Sequence, residues 1–270
     1  MRICTVGDVR VGPGEPPRLM AVLNGSPESF YRGSFFSPDR VREAADRFID
    51  EGAAILDLGA RSTAPESPPI PVREEAARMD ALLAELDGSG YVVSVDTMHA
   101  EVLETCLRHD IHMLNDINGF RDPVLVRRAA EAGLAGCGMA AFEAPGDPLG
   151  VEETMEALAL VVLRAEKAGL SELILDPGIG LWTRERTVEH DWDLCCAFDR
   201  FSRFGRPLLA AVSRKTFLGR LTGRSPENRL AASLSVAGSL VARGAHLVRT
   251  HDVAETADLL RVQARLKECP

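Results

Sequence analysis

The residues of this chain with the most chemical potential stand at the ends of short apolar runs. The run at 19–24 closes on Asn24. The run at 53–58 carries Asp57 and leads into Gly59-Ala60-Arg61-Ser62-Thr63. The runs at 91–96 and 111–116 close on Asp96-Thr97 and Asn115-Asp116. The run at 134–139 ends at Met139 with no polar group, and the one at 173–176 ends in Asp176-Pro177-Gly178. The run at 207–212 leads into Ser213-Arg214-Lys215, and the run at 245–249 into Arg249-Thr250-His251-Asp252. Asp96, Asn115, Asp176 and Lys215 form a set of acceptors plus one cation. It suits a flat heterocycle with adjacent N–H donors, whose own acceptors the amide and ammonium can satisfy. Arg249, His251 and Asn24 form a second set, suited to a phosphate or diphosphate; Lys215 could serve either half. Asp, Asn and Ser are also ordinary cap and turn residues. That plainer reading fits Asp116 and Asp252, and Arg249 and His251 could instead pair on the surface with Asp252 or Glu255. Seven polar strand ends in one mouth favour a site. His99, His109, His112, His190 and His246 show no two-histidine metal pattern and read as surface or packing residues.

Eight such runs, each followed by a segment of helical period, predict parallel strands covered on both faces. The fold class is α/β, a single-domain (β/α)8 TIM barrel over residues 1–270, with the barrel at about 19–266. A chain of 270 residues suits a fold that typically takes roughly 250. In such barrels the chemistry gathers where strands end. The runner-up, a doubly wound open sheet, would favour a GxGxxG turn after the first strand; Leu23-Asn24-Gly25-Ser26-Pro27 is not one. Ser37-Pro38, Asp122-Pro123 and Ser225-Pro226 each place a cap before a proline at a helix start. Val41, Ala44, Ala45, Phe48 and Ile49 make an apolar stripe behind the first. Leu230, Leu234, Ala237 and Val241 make another, and Leu259, Val262 and Leu266 predict the buried face of the last helix.

Composition narrows the function classes. The net charge is −9, which argues against non-specific nucleic-acid binding, a property of Lys/Arg clusters. No apolar run approaches the roughly 20 residues of a membrane span, and the first residues lack the long apolar stretch of a signal peptide. Six cysteines without CxxC or zinc spacing read as reduced thiols in a cytoplasmic protein.

The motifs as a set resemble the dihydropteroate synthase family. Leu23-Asn24-Gly25-Ser26-Pro27-Glu28-Ser29-Phe30 is similar to the family's LNxTPDSF segment. Asp57-Leu58-Gly59 with Ser62-Thr63, Ser94-Val95-Asp96-Thr97, Asn115-Asp116, Asp176-Pro177-Gly178-Ile179-Gly180, Ser213-Arg214-Lys215 and Arg249-Thr250-His251-Asp252-Val253 follow in the family's order. The resemblance runs from about residue 19 to 260. It implies a pterin-binding barrel that condenses 6-hydroxymethyl-7,8-dihydropterin diphosphate with an arylamine and releases diphosphate. By resemblance, Asp96, Asn115, Met139, Asp176 and Lys215 hold the pterin. Asn24, Arg249 and His251 bind the diphosphate, with Mg2+ near Asn24. Arg61, Ser62, Thr63, Pro65, Leu181 and Ser213 face the arylamine. The catalytic set is Asn24, Lys215, Arg249 and His251. The family often forms homodimers.

The sequence also departs from the family pattern. The usual GGESTRP loop reads Gly59-Ala60-Arg61-Ser62-Thr63-Ala64-Pro65, Met139 is followed by Ala140 rather than His, and Leu181 with Trp182 replaces an aromatic. Together these resemble an archaeal-type branch. The arylamine is then either para-aminobenzoate or a ribofuranosylaminobenzene phosphate, whose phosphate Arg61 could meet. Two other functions share the resemblance: a pterin- or folate-dependent methyltransferase domain, and a pterin-binding protein without catalysis.

Overall fold

The computed structural model describes residues 2–26, 35–62 and 69–267. Two three-residue strands, β1 (Cys4–Val6) and β2 (Val9–Val11), pair antiparallel. Gly7 turns between them at φ 57°; a Cβ there would lie 2.8 Å from the His112 ring. Eight strands follow: β3 (Arg18–Asn24), β4 (Ile55–Gly59), β5 (Val93–Asp96), β6 (Met113–Asp116), β7 (Ala135–Met139), β8 (Leu173–Asp176), β9 (Leu209–Ala210) and β10 (Leu247–Thr250). They form one parallel sheet in the order β8-β7-β6-β5-β4-β3-β10-β9. A parallel bridge from Leu175 to Leu208 joins its two ends, and the Leu175 N–H donates to the Pro207 carbonyl at 2.9 Å. The sheet is thus a closed (β/α)8 barrel in a single α/β domain.

The strand pleat separates two cores. Leu19, Ala21 and Leu23 of β3 pack outward among the helices. Met20, Ile55, Met113, Ile174 and Leu247 fill the lower barrel. Cys4, Val6 and Val11 of the hairpin join that inner cluster and close the bottom of the barrel. Two residues further along several strands the inward positions turn polar: Asp57 after Ile55, Asn115 after Met113, Asp176 after Ile174, Arg249 after Leu247. The same alternation that builds the core therefore delivers charge to the upper end.

The helices are α1 (Pro38–Asp50), α2 (Val72–Ala84), α3 (Ala100–Cys106), α4 (Pro123–Glu131), α5 (Gly150–Ala168), α6 (Val188–Cys196), α7 (Thr216–Thr222), α8 (Leu230–Ala242) and α9 (Val253–Lys267). Val41, Ala44, Ala45 and Phe48 form the buried face of α1, which starts at Pro38 as the sequence predicts. Asp122 caps α4 by accepting the Val124 N–H at 2.8 Å. Asp122→Ala is expected to cost about 1 kcal/mol, read as a lower urea midpoint with an unchanged slope.

Two expectations change and one element is new. The β1–β2 hairpin has no counterpart in the sequence pattern, because strands of three residues leave no readable period. Ser225-Pro226 opens a single 3-10 turn, Pro226–Asn228, and α8 starts at Leu230. The buried side of α9 also differs. Val253, Thr256 and Ala257 are buried, whereas Val262 and Leu266 are 57% and 60% exposed. Helical spacing shows that a stripe exists but not which side the barrel covers. Among the described residues no helix is long and apolar enough to cross a membrane.

Candidate active site

Four strands meet in one hydrogen-bonded network above the apolar core. Asp57 of β4, fully buried, is its hub. It accepts from Ser94 Oγ of β5 at 2.6 Å, from Asn115 Nδ2 of β6 at 3.2 Å and from Arg249 Nε of β10 at 2.6 Å. Arg249 Nη2 donates to Asp96 at 2.8 Å. Burial opposes the charge on Arg249, but Asp57 and Asp96 outweigh it and hold the guanidinium firmly protonated. Asp96 is pushed up to about 7, chiefly by burial; Arg249 pulls the other way, and Asp57, Glu75 and Asp116 add to the rise. Asp96 and Arg249, expected in different halves of the site, are thus in direct contact and join the two halves. Asp57 belongs to a motif in the sequence but not to its candidate site residues. Its signal was an acid inside an apolar run, two positions beyond a core isoleucine.

Asp176 closes β8 and accepts the Gly178 N–H at 2.8 Å. Burial raises its carboxyl, opposed mainly by Lys215. Gly178 takes φ 71°, and a Cβ there would lie 3.0 Å from Met139, so glycine lets this loop lie against the buried Met139. Lys215 reaches back from the start of α7 and donates to the Ile179 carbonyl. Burial brings its ammonium down to about 8, while Asp176 and Asp191 support the charge. Leu181 is half-buried, and the Trp182 ring lies 5.0 Å from Lys215 Nζ.

Ser213 and His251 are paired rather than separate. Ser213 Oγ accepts the His251 N–H at 3.1 Å and lies 3.0 Å from its Nδ1. Burial, then Arg249, Arg214 and Lys215, lower the imidazole to about 3, so it is neutral at pH 7. Between Ser213 and Lys215, Arg214 takes φ 57°. It is held by a two-pronged bond to Asp252 and by donation to the Pro226 and Glu227 carbonyls at 2.9 Å each. The strained turn therefore aims its neighbours into the mouth. Asp252 serves this clamp and does not pair with Arg249 or His251. Asp116 receives the N–H groups of Asn118 and Phe120, as a turn residue should.

Arg61 has a fixed partner. Its Nε donates to Glu75 at 2.6 Å and its Nη2 to the Ile70 carbonyl at 2.7 Å. Glu75, 1% exposed, also accepts from Thr97 at 2.7 Å. Arg61, Glu75, Asp96 and Thr97 line one recess, which puts the start of the strand-β4 loop beside the network. Ser62 ends the described part of that loop; Thr63 and Pro65 lie outside the described residues. Asn24 closes β3 next to Gly59, and its Oδ1 accepts the Ser26 N–H at 2.9 Å. Among the described residues no three His, Cys, Asp or Glu side chains group as a metal cage. A lone amide oxygen fits Mg2+ only when the ion takes its other oxygens from a diphosphate and water.

An acid–arginine–acid bridge, a buried lysine and polar strand ends on one rim define a barrel enzyme that handles a heterocycle and an anion. A family model described as pterin binding enzyme matches residues 20–251. The dihydropteroate synthase of Escherichia coli K12 is 33% identical over 261 residues, covering 91% of this chain and 90% of that one. A probable bifunctional folylpolyglutamate synthase/dihydropteroate synthase of Haloferax volcanii is 36% identical, covering 90% of this chain and 30% of that one. A structure of Xanthomonas albilineans dihydropteroate synthase with 4-aminobenzoic acid superimposes with TM-score 0.85 at 30% identity, covering 99% of each chain. The chain belongs to the pterin binding enzymes, in the dihydropteroate synthase family.

Proposed function

We propose that this chain is a transferase that joins 6-hydroxymethyl-7,8-dihydropterin diphosphate to para-aminobenzoate and releases diphosphate, a step of folate biosynthesis. The Asp57–Arg249–Asp96 bridge carries the reading. It puts a heterocycle acceptor and an anion-binding cation within one hydrogen bond of each other, as a pterin with a diphosphate on its methylene requires.

Asp96 and Asp176 accept the ring N–H donors, Asn115 and Lys215 complete the ring's polar contacts, and Met139 packs on its face. Arg249, His251 and Asn24 hold the diphosphate. Arg249 Nη1 makes no bond to the described residues and is the prong left for that anion. Mg2+, held by Asn24 and the diphosphate itself, would supply charge neutralisation. The amine lone pair forms the new C–N bond at the methylene as the C–O bond breaks; diphosphate leaves with that electron pair and the nitrogen then sheds its proton. Arg249 steadies the growing negative charge. An arylamine is a nucleophile at neutral pH, so holding both substrates in line is the protein's main contribution. Ser213, Leu181 and the loop from Arg61 through Ser62, Thr63 and Pro65 form the arylamine side.

The Arg61–Glu75 pair favours para-aminobenzoate over an arylamine phosphate, because the cation is already neutralised by a buried carboxylate. Arg61→Ala is therefore expected to lower turnover with both arylamines by the same factor. Steady-state comparison of the two arylamines checks this; a loss confined to the phosphorylated one would reverse the choice. We also infer a cytoplasmic setting, supported by the unpaired state of the five described cysteines, and a homodimer, supported by the exposed Val262 and Leu266 of α9.

A further inference from the structure

We propose that Trp182 is a positioning residue for Lys215: its indole face clamps the ammonium against the Ile179 carbonyl and aims it at the pterin half of the mouth. The pterin assignment rests on the reading above; the clamp itself does not. Three contacts fix the ring. The indole N–H donates to the Gly178 carbonyl at 3.0 Å. The Trp182 backbone N–H donates to the Gly180 carbonyl at 2.9 Å. The ring also lies flush on Gly146 of the β7–α5 loop, where a Cβ would come within 2.3 Å of its atoms.

A buried ion pair ties the surrounding loops together. Arg186 and Asp191 meet at 3.0 Å with side chains 1% and 0% exposed. Asp191 accepts the Gly180 N–H at 2.8 Å, and Arg186 donates to the Gly146 carbonyl at 3.1 Å. The loop under the ring and the loop beside it are thus one unit. Lys215 Nζ sits 5.0 Å from the ring, inside the range of a cation–π contact.

The charged and titratable groups around Lys215 are Asp176 of β8, Asp191 and Cys195 of α6, Arg186 ahead of α6, Arg249 of β10 and His251 beyond it. Asp176 and Asp191 favour the ammonium, while burial, Arg249 and Arg186 oppose it. Burial draws the group down to about 8, and the ring face 5.0 Å away favours the charged form against that pull.

The test uses the protein without substrate. The chain has two tryptophans. Trp192 packs edge-on against Phe217 at 4.9 Å, so W192F keeps a ring there and leaves Trp182 as the only indole. Its emission is expected to step near pH 8, and W192F/K215M is expected to lose the step. A flat titration, or a step that survives K215M, overturns the clamp. Calorimetric binding of 6-hydroxymethyl-7,8-dihydropterin diphosphate gives a second readout. W182F keeps an aromatic face but loses the indole N–H bond, and is expected to bind closer to wild type than W182L does. W182L should bind about three- to tenfold more weakly, with its alkaline limb moved down by roughly half a pH unit or more. Equal limbs in W182F and W182L also overturn the clamp. An emission step in a protein that forms no product upholds the clamp and removes only the assigned reaction.

Discussion

Arg249→Ala is expected to lose turnover and stability together. The guanidinium answers two carboxylates at 2.6 and 2.8 Å, and one of them, Asp57, is fully buried. Removing it leaves Asp57 uncompensated, a change that costs about 3–5 kcal/mol. It also removes the donor assigned to the leaving diphosphate, and kcat/KM should fall on the order of 10^3-fold. Arg249→Lys keeps the charge but cannot reach both acids with a rigid fork, so it should lie between. The double variant D57N/R249M separates the two effects, because it removes the fully buried carboxylate together with its cation and leaves Asp96, which burial lets keep its proton. It should unfold near the wild-type urea midpoint yet stay inactive. Wild-type turnover in R249A would show that the bridge is structural only.

Asp96→Asn is expected to flatten a pH dependence. In the folded chain the Asp96 carboxyl keeps its proton up to about 7, against 3.8 ordinarily, because burial outweighs the attraction of Arg249. Between those values the folded state binds a proton that the unfolded state has released. Stability therefore falls as pH rises through that window. An amide cannot ionise, so the D96N variant should lack this decline in a series of urea melts. The same substitution removes a charge-assisted acceptor for the pterin N–H groups. Affinity for the pterin diphosphate should drop about 10^2-fold at alkaline pH. The gap should narrow toward about pH 6, where wild type is itself largely protonated. Parallel melts for D96N and wild type, with equal affinities, would place the pterin elsewhere.

The eight barrel strands were legible because strands buried on both faces need largely apolar runs, and these runs, bounded by turn residues, are too short for helices. The polar strand ends were legible for the complementary reason: an apolar strand has little cause to close on an acid unless the mouth uses it. The β1–β2 hairpin was not legible, since two strands of three residues carry no period. The stripe of Leu259, Val262 and Leu266 was real but lies largely on the uncovered side of α9, a fact about neighbours rather than spacing. Asp57 stands in its run as one acid among apolar residues, and only the closed barrel brings Ser94, Asn115 and Arg249 to it and makes it the hub. Arg61 and Glu75 are 14 residues apart, and Arg249 and Asp57 are 192 apart. Each residue type was visible in the chain, but only the closed barrel makes them partners. The Trp182 ring over Lys215 is of the same kind, a contact created by two loops meeting.

The most direct test of the account is diphosphate release from 6-hydroxymethyl-7,8-dihydropterin diphosphate with Mg2+, followed with and without para-aminobenzoate. The account predicts release only when the arylamine is present, with one 7,8-dihydropteroate formed per diphosphate. Release at the same rate without the arylamine, or pterin binding with no release at all, would contradict it.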